Sequence, residues 1–185
     1  MTLVASVDSI AVYSKGSKVS SLSVKYGATS IAANGSTVAV GGDDKLVHIY
    51  TLSGTELKET GTELRRATAA ISAVAFSASG SKLAFGTSNG KIYAYEAGND
   101  WKIITDRWSA HTARITCLAW DESEKYTASG SLDTNVMVWS VEDPGKRIKA
   151  LNAHKDGVTG VAWEKASKVL SAGGDATIKV WTVKA

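Results

Sequence analysis

Five short apolar segments end in an aromatic residue at a nearly constant interval, and that repeat confines the chain to a narrow set of folds. They are Ser9-Ile10-Ala11-Val12-Tyr13, Leu46-Val47-His48-Ile49-Tyr50, Lys91-Ile92-Tyr93-Ala94-Tyr95, Asn135-Val136-Met137-Val138-Trp139 and Thr177-Ile178-Lys179-Val180-Trp181. The last four aromatics lie 45, 44 and 42 residues apart, and Tyr13 precedes Tyr50 by 37. A second apolar segment recurs in register before four of these, at 37–42, 82–87, 126–131 and 169–174. A third recurs earlier still, at 71–76, 115–120 and 158–163. More polar segments fill the gaps, at 101–104 and 147–151. Each segment is short, partly alternating and bounded by turn residues such as Asp43-Asp44 and Ser88-Asn89-Gly90. That pattern predicts strands joined by tight turns, and no stretch sustains a helical period. With 17 glycines and one proline, the turns come from Gly, Asn, Asp and Ser.

Four short strands per ~40–45 residues is the arithmetic of one blade of a WD40-type β-propeller, which this repeat resembles. A β-sandwich is also built of short strands, but it does not repeat itself at this interval. The strands of a blade are named a to d from the propeller axis outward, and the sequence unit runs d-a-b-c. The chain opens in a b strand, at Leu3 to Ser6, and closes after a c strand at Trp181. The expectation is an all-β fold: an incomplete ring of about four to five four-stranded blades, at 1–26, 27–62, 63–108, 109–152 and 153–185. A closed ring of about seven blades needs roughly 300 residues. The chain is therefore expected to be a fragment, or a piece that closes through another chain. Open sheet edges invite self-association or a partner chain.

Composition narrows the function. Apolar residues make up 44%, enough for a core. The net charge of +3 is spread without a basic run, so nucleic acid is not expected as a partner. Cys117 is the single cysteine, which rules out an internal disulfide and suits a reducing compartment. No apolar run approaches the ~18 residues of a membrane span, and the N-terminal residues lack the pattern of a signal peptide. A cytoplasmic protein without membrane contact is expected.

His111, Ser129 and Asp133 have the composition of a catalytic triad, and His154, Ser171 and Asp175 repeat it. Two copies in one chain argue against catalysis, and neither serine sits in a Gly-x-Ser-x-Gly elbow. The WD40 resemblance implies a structural role instead: a hydrogen-bonded tetrad of histidine, serine, aspartate and tryptophan. The two tetrads are His111-Ser129-Asp133-Trp139 and His154-Ser171-Asp175-Trp181. A buried imidazole and indole need partners, and the hydroxyl and carboxylate provide them. In the second and third blades Tyr50 and Tyr95 replace the tryptophan, and no histidine precedes the a strand. Those blades are expected to be held by apolar packing alone and to be softer. Trp120, Trp163 and Phe76 end a strands and belong to the core; Trp101 and Trp108 fall in a more polar segment, where packing is favoured over binding. The three histidines and one cysteine lack metal-ligand spacing, Asp43-Asp44 is turn chemistry rather than an EF-hand loop, and no phosphate loop is present. No enzyme activity, metal or cofactor is expected.

Beyond the repeat, several segments resemble the C-terminal propeller of the actin-interacting protein 1 family: Val38-Ala39-Val40-Gly41-Gly42, the interblade stretch Gly54-Thr55-Glu56-Leu57-Lys58-Glu59, and Val138-Trp139-Ser140-Val141-Glu142-Asp143-Pro144. Members of that family have two linked propellers and help cofilin disassemble actin filaments. The resemblance implies a non-catalytic protein-binding module of the cytoplasm and cytoskeleton, with actin and cofilin as partners. A generic WD40 scaffold in another assembly is the alternative, because one fold serves many partners. Propellers bind through rim loops, and here the d–a and b–c loops share a face. That face is expected to carry Asp43, Asp44, Arg65, Arg66, Asn89, Arg114, Lys155 and Asp156, beside Asp133 of the first tetrad.

Overall fold

A computed structural model describes residues 1–165 and 167–184 as eighteen strands in five antiparallel sheets, with no helix among the described residues. Each sheet is a meander, with strands side by side in chain order. The first holds β1 (Thr2–Ser6), β2 (Ser9–Ser14) and β3 (Ser17–Ser23). The second holds β4 (Ala28–Asn34), β5 (Thr37–Gly42), β6 (Val47–Ser53) and β7 (Glu56–Leu64). The third holds β8 (Ile71–Phe76), β9 (Lys82–Thr87), β10 (Lys91–Glu96) and β11 (Lys102–Ser109). The fourth holds β12 (Ile115–Trp120), β13 (Tyr126–Ser131), β14 (Val136–Ser140) and β15 (Arg147–Ala150). The fifth holds β16 (Val158–Lys165), β17 (Lys168–Gly173) and β18 (Ile178–Thr182).

Strand alternation explains how the sheets stack. Successive side chains leave a strand on opposite faces, so a strand between two neighbours must be apolar on both. In β5, Val38 and Val40 pack toward the first sheet while Ala39 packs toward the third. Four apolar layers result, one in each gap between adjacent sheets. Trp108 is fully buried in the layer between the third and fourth sheets, stacked 5.9 Å from Trp139. Its strand, β11, runs well past the polar stretch visible at 101–104. Trp101 instead lies in the turn before β11, partly buried against Phe76.

Hydroxyls and indoles register each sheet against the next. Thr29 donates to the Ile71 carbonyl at 2.7 Å, Ser72 to that of Ile115 at 2.7 Å, and Thr116 to that of Val158 at 2.6 Å. The Trp120 and Trp163 indoles donate to the carbonyls of Ala75 and Ala119 in the preceding sheet, at 3.0 and 3.1 Å. Close approach of the b strand to the next a strand requires glycine at its end. A Cβ on Gly41, Gly86 or Gly130 would lie 2.4–2.5 Å from Ile71, Ile115 or Val158.

Candidate functional site

The residues with catalytic composition come together, but in a closed arrangement. His111 leads into β12, Ser129 is on β13, Asp133 is in the turn after it and Trp139 is on β14. The His111 Nδ1 faces the Asp133 carboxylate at 2.9 Å, and its Nε2 faces Ser129 Oγ at 2.8 Å. Trp139 donates its indole N–H to the same oxygen at 2.8 Å. The fifth sheet repeats this: His154 Nδ1 to Asp175 at 2.9 Å, Nε2 to Ser171 Oγ at 2.8 Å, and Trp181 Nε1–H to Ser171 Oγ at 2.8 Å. With Nδ1–H donating to the carboxylate, Nε2 accepts the serine proton. Burial pushes the His111 imidazole below its usual pKa, against the opposing pull of Asp133, and so keeps it neutral. Asp133 is held low: backbone N–H donors at Thr112 and Asn135, with His111, outweigh the burial that raises it. Asp175 is also held low, first by the Lys155 N–H. Ser129 and Ser171 are buried, so no substrate can reach either hydroxyl.

The second sheet departs from expectation. Apolar packing alone does not hold it, because a different polar network stands where the tetrad is missing. Tyr26, in the loop before β4, hydrogen-bonds its hydroxyl to that of Tyr50 at 2.7 Å and stacks on His48 at 3.8 Å. His48 Nε2 meets Asp44 at 2.9 Å, and its Nδ1 lies 3.5 Å from Glu63. The histidine thus comes from the c strand, one face-mate away from Tyr50, rather than from the d–a loop. In the third sheet the serine and tryptophan positions hold Phe85 and Tyr95, whose rings stack at 5.7 Å with Tyr93 beside them. That sheet is packed by aromatics.

The d–a and b–c loops lie together and are stitched by backbone bonds. Asp43 N–H donates to the Gly27 carbonyl, Ser88 to Ala70, Leu132 to Arg114 and Gly174 to Gly157, all at 2.9–3.0 Å. Several residues expected on this face are engaged internally. Asp43 accepts from the Gly27 N–H, Asp44 holds His48, and Asn89 bonds Thr87. Arg65 pairs with Glu63, and Arg66 pairs with Asp106 at 3.3 Å. Arg114, Lys155 and Asp156 are exposed, and their side chains have no hydrogen-bond or ion-pair partner among the described residues. No cluster of three metal-binding side chains is found among the described residues.

Sequence reasoning did not find the Tyr26–His48 pair or Glu124. Glu124, in the turn before β13, accepts from the Ser79 N–H at 2.7 Å, the Ser81 hydroxyl at 2.8 Å and Lys82 Nζ at 3.3 Å in the third sheet. Burial alone would push its carboxyl up, but these donors outweigh it and hold the carboxyl at about 2. Nothing in the repeat marks these residues, since each appears in one blade only.

The model for the WD domain, G-beta repeat, matches residues 102–140 and 145–182. The 66 kDa stress protein of Physarum polycephalum is 38% identical over 186 residues, covering 100% of this chain and 31% of that protein. Actin-interacting protein 1 of Caenorhabditis elegans is 35% identical over 180 residues, covering 94% of this chain and 29% of that protein. The chain thus spans about a third of the length of the curated relatives it matches. The crystal structure of the computationally designed Ika8 protein superposes with a TM-score of 0.80 at 20% identity, over 98% of this chain and 55% of that one, a likeness of fold. With its repeated antiparallel sheets, its two matched repeats and such relatives along nearly its whole length, this chain carries WD40 repeats in a β-propeller-type fold and is similar, over the part it spans, to actin-interacting protein 1.

Proposed function

We propose that the chain is a non-catalytic protein-binding module of the cytoplasm and cytoskeleton that contacts actin filaments, with cofilin, through its d–a and b–c rim. One observation carries this reading. The rim loops are fixed to one another by backbone bonds, and they present Arg114, Lys155 and Asp156 without partners of their own. A loop backbone fixed before binding loses little freedom on association, and charges of mixed sign steer a partner with a charged surface. The name of the relatives, actin-interacting protein 1, supplies the partner class. The buried serines support the non-enzymatic half of the reading, because a nucleophile must reach its substrate.

Co-sedimentation with actin filaments, with and without cofilin, tests the proposal. The expected result is cofilin-dependent pelleting that falls roughly tenfold in affinity in Arg114→Glu with Lys155→Glu, the scale of losing charge-pair contacts. A folded chain that stays in the supernatant overturns it and leaves a scaffold role in another assembly. The outer faces of the first and fifth sheets expose Val4, Val19, Ile178 and Val180. We include in the proposal self-association through these faces, to be read as a concentration-dependent mass in sedimentation equilibrium; a constant monomer mass removes that part.

A further inference from the structure

The second sheet's departures converge on one cavity. Tyr50 stands where the fourth and fifth sheets have tryptophan, and the smaller ring leaves space beside β6. The pairing of β6 with β7 slips between His48 and Tyr50. Gly61 makes that slip at φ +76, and a Cβ there would meet nothing within 4 Å, so the outer strand bows away into open space. The result is a cleft of about 280 Å³ between the loop after β3 and strands β6 and β7. It lies near the lower end of ligand-pocket sizes, roughly 300 Å³ and upward, and suits one long side chain.

The chemistry of the cleft is acceptor-rich. Its wall carries Tyr26, Tyr50, Glu59 and Glu63. Each phenolic oxygen has two lone pairs, and their mutual bond uses only one of the four. The Glu59 carboxylate has no partner among the described residues, and Tyr50 is almost fully buried beside it. Two basic side chains face the space. His48 is already held between Asp44 and Glu63, and Lys25 is exposed at the mouth. Arg65 meets Glu63 from outside. Burial first, then Glu59, Asp44 and Glu63, push the Tyr50 phenol up, against the bond from Tyr26.

We propose that this cleft between the first and second sheets binds one cationic side chain, arginine or lysine, presented by a protein partner. The cation would lie against Glu59, with N–H donors directed at the phenolic oxygens, a pairing that charge assistance strengthens. The mouth adjoins the rim through Lys25, Tyr26 and Asp44, so a partner seated there can reach it. Only the source of the side chain rests on the rim reading; the site itself stands without it.

The test is an NMR titration of the chain with Nα-acetyl-arginine amide and Nα-acetyl-lysine amide, with the citrulline derivative as a neutral near-isostere. The expected result is saturable shifts of the His48, Gly61 and Thr62 amides with both cations and none with citrulline. In Glu59→Gln binding should weaken about tenfold with the melting temperature unchanged, because Glu59 is exposed. Equal responses to citrulline, unchanged affinity in Glu59→Gln, or no saturable shift overturns the proposal. Failure of actin co-sedimentation leaves this result untouched, so the two readings fail separately.

Discussion

Two serine hydroxyls illustrate what a single buried atom can hold. Ser129 Oγ is the partner of both the His111 Nε2 and the Trp139 indole. Ser129→Ala leaves both unsatisfied, at roughly 1–3 kcal/mol each. Denaturant unfolding should show a loss of about 2–6 kcal/mol. Ser171→Ala should cost less, because Trp181 is only partly buried and its indole can turn to water. Equal losses would contradict that ordering. His111 also shapes the acid side of the stability curve. The folded His111 pKa lies below the unfolded value of 6.5, so the unfolded chain takes up the proton first. Its contribution is complete above about pH 6.5 and is lost as pH falls toward the folded value. Asp133 is likewise depressed, so its share lasts down to the unfolded value of 3.8 and disappears below it. Unfolding free energies measured between pH 7 and 5 should therefore decline in the wild type, and decline less in His111→Gln. The tetrad residues were legible in the sequence because the same four types recur 42 or 43 residues apart. The Tyr26–His48 pair was not, because a stacked ring and a histidine on the c strand leave no periodic trace.

Strands b and a were the most legible elements. The segments at 37–42, 71–76, 82–87, 115–120 and 126–131 coincide with β5, β8, β9, β12 and β13. Each is buried between two sheets, and its apolar content and turn boundaries follow from that position. The outer strands were less so. β11 extends to Ser109 and β7 covers Glu56–Leu64, because an edge strand with one solvated face can carry polar residues and keep its ladder. The glycine near the end of β5, β9 and β13 gives a test at this scale. In Gly86→Ala the new methyl meets Ile115 at 2.5 Å, and overpacking of this kind costs about 1–3 kcal/mol. Gly98→Ala, where nothing lies within 4 Å and φ is not left-handed, should be nearly neutral in the same denaturation assay. The Glu124 turn fastens the third and fourth sheets at their opposite end. Glu124→Ala should cost about 1.5–3 kcal/mol, the range for hydrogen bonds to a charged group. The contribution of this carboxylate is present above its ordinary value of 4.5 and fades as pH falls toward about 2. Urea titrations at pH 7 and pH 3 should therefore differ less in Glu124→Gln than in the wild type.

Across the whole molecule, each apolar layer among the described residues joins adjacent sheets only, and so does every hydroxyl and indole bond described between sheets. Stability in such an array is close to a sum of sheet terms and neighbour terms. Val40→Ala in the second sheet and Val169→Ala in the fifth share no partners, so their unfolding penalties should add to within ~0.5 kcal/mol. A larger coupling would reveal a link between distant sheets. The same wiring governs how news of a bound partner travels. A side chain seated beside Tyr50 can be felt at Lys155 only by deforming the third and fourth sheets in turn, and each interface is free to absorb part of the displacement. The molecule therefore behaves as springs in series, in which the proposed cleft and the far end of the rim at Lys155 would be independent stations, each able to be occupied without informing the other.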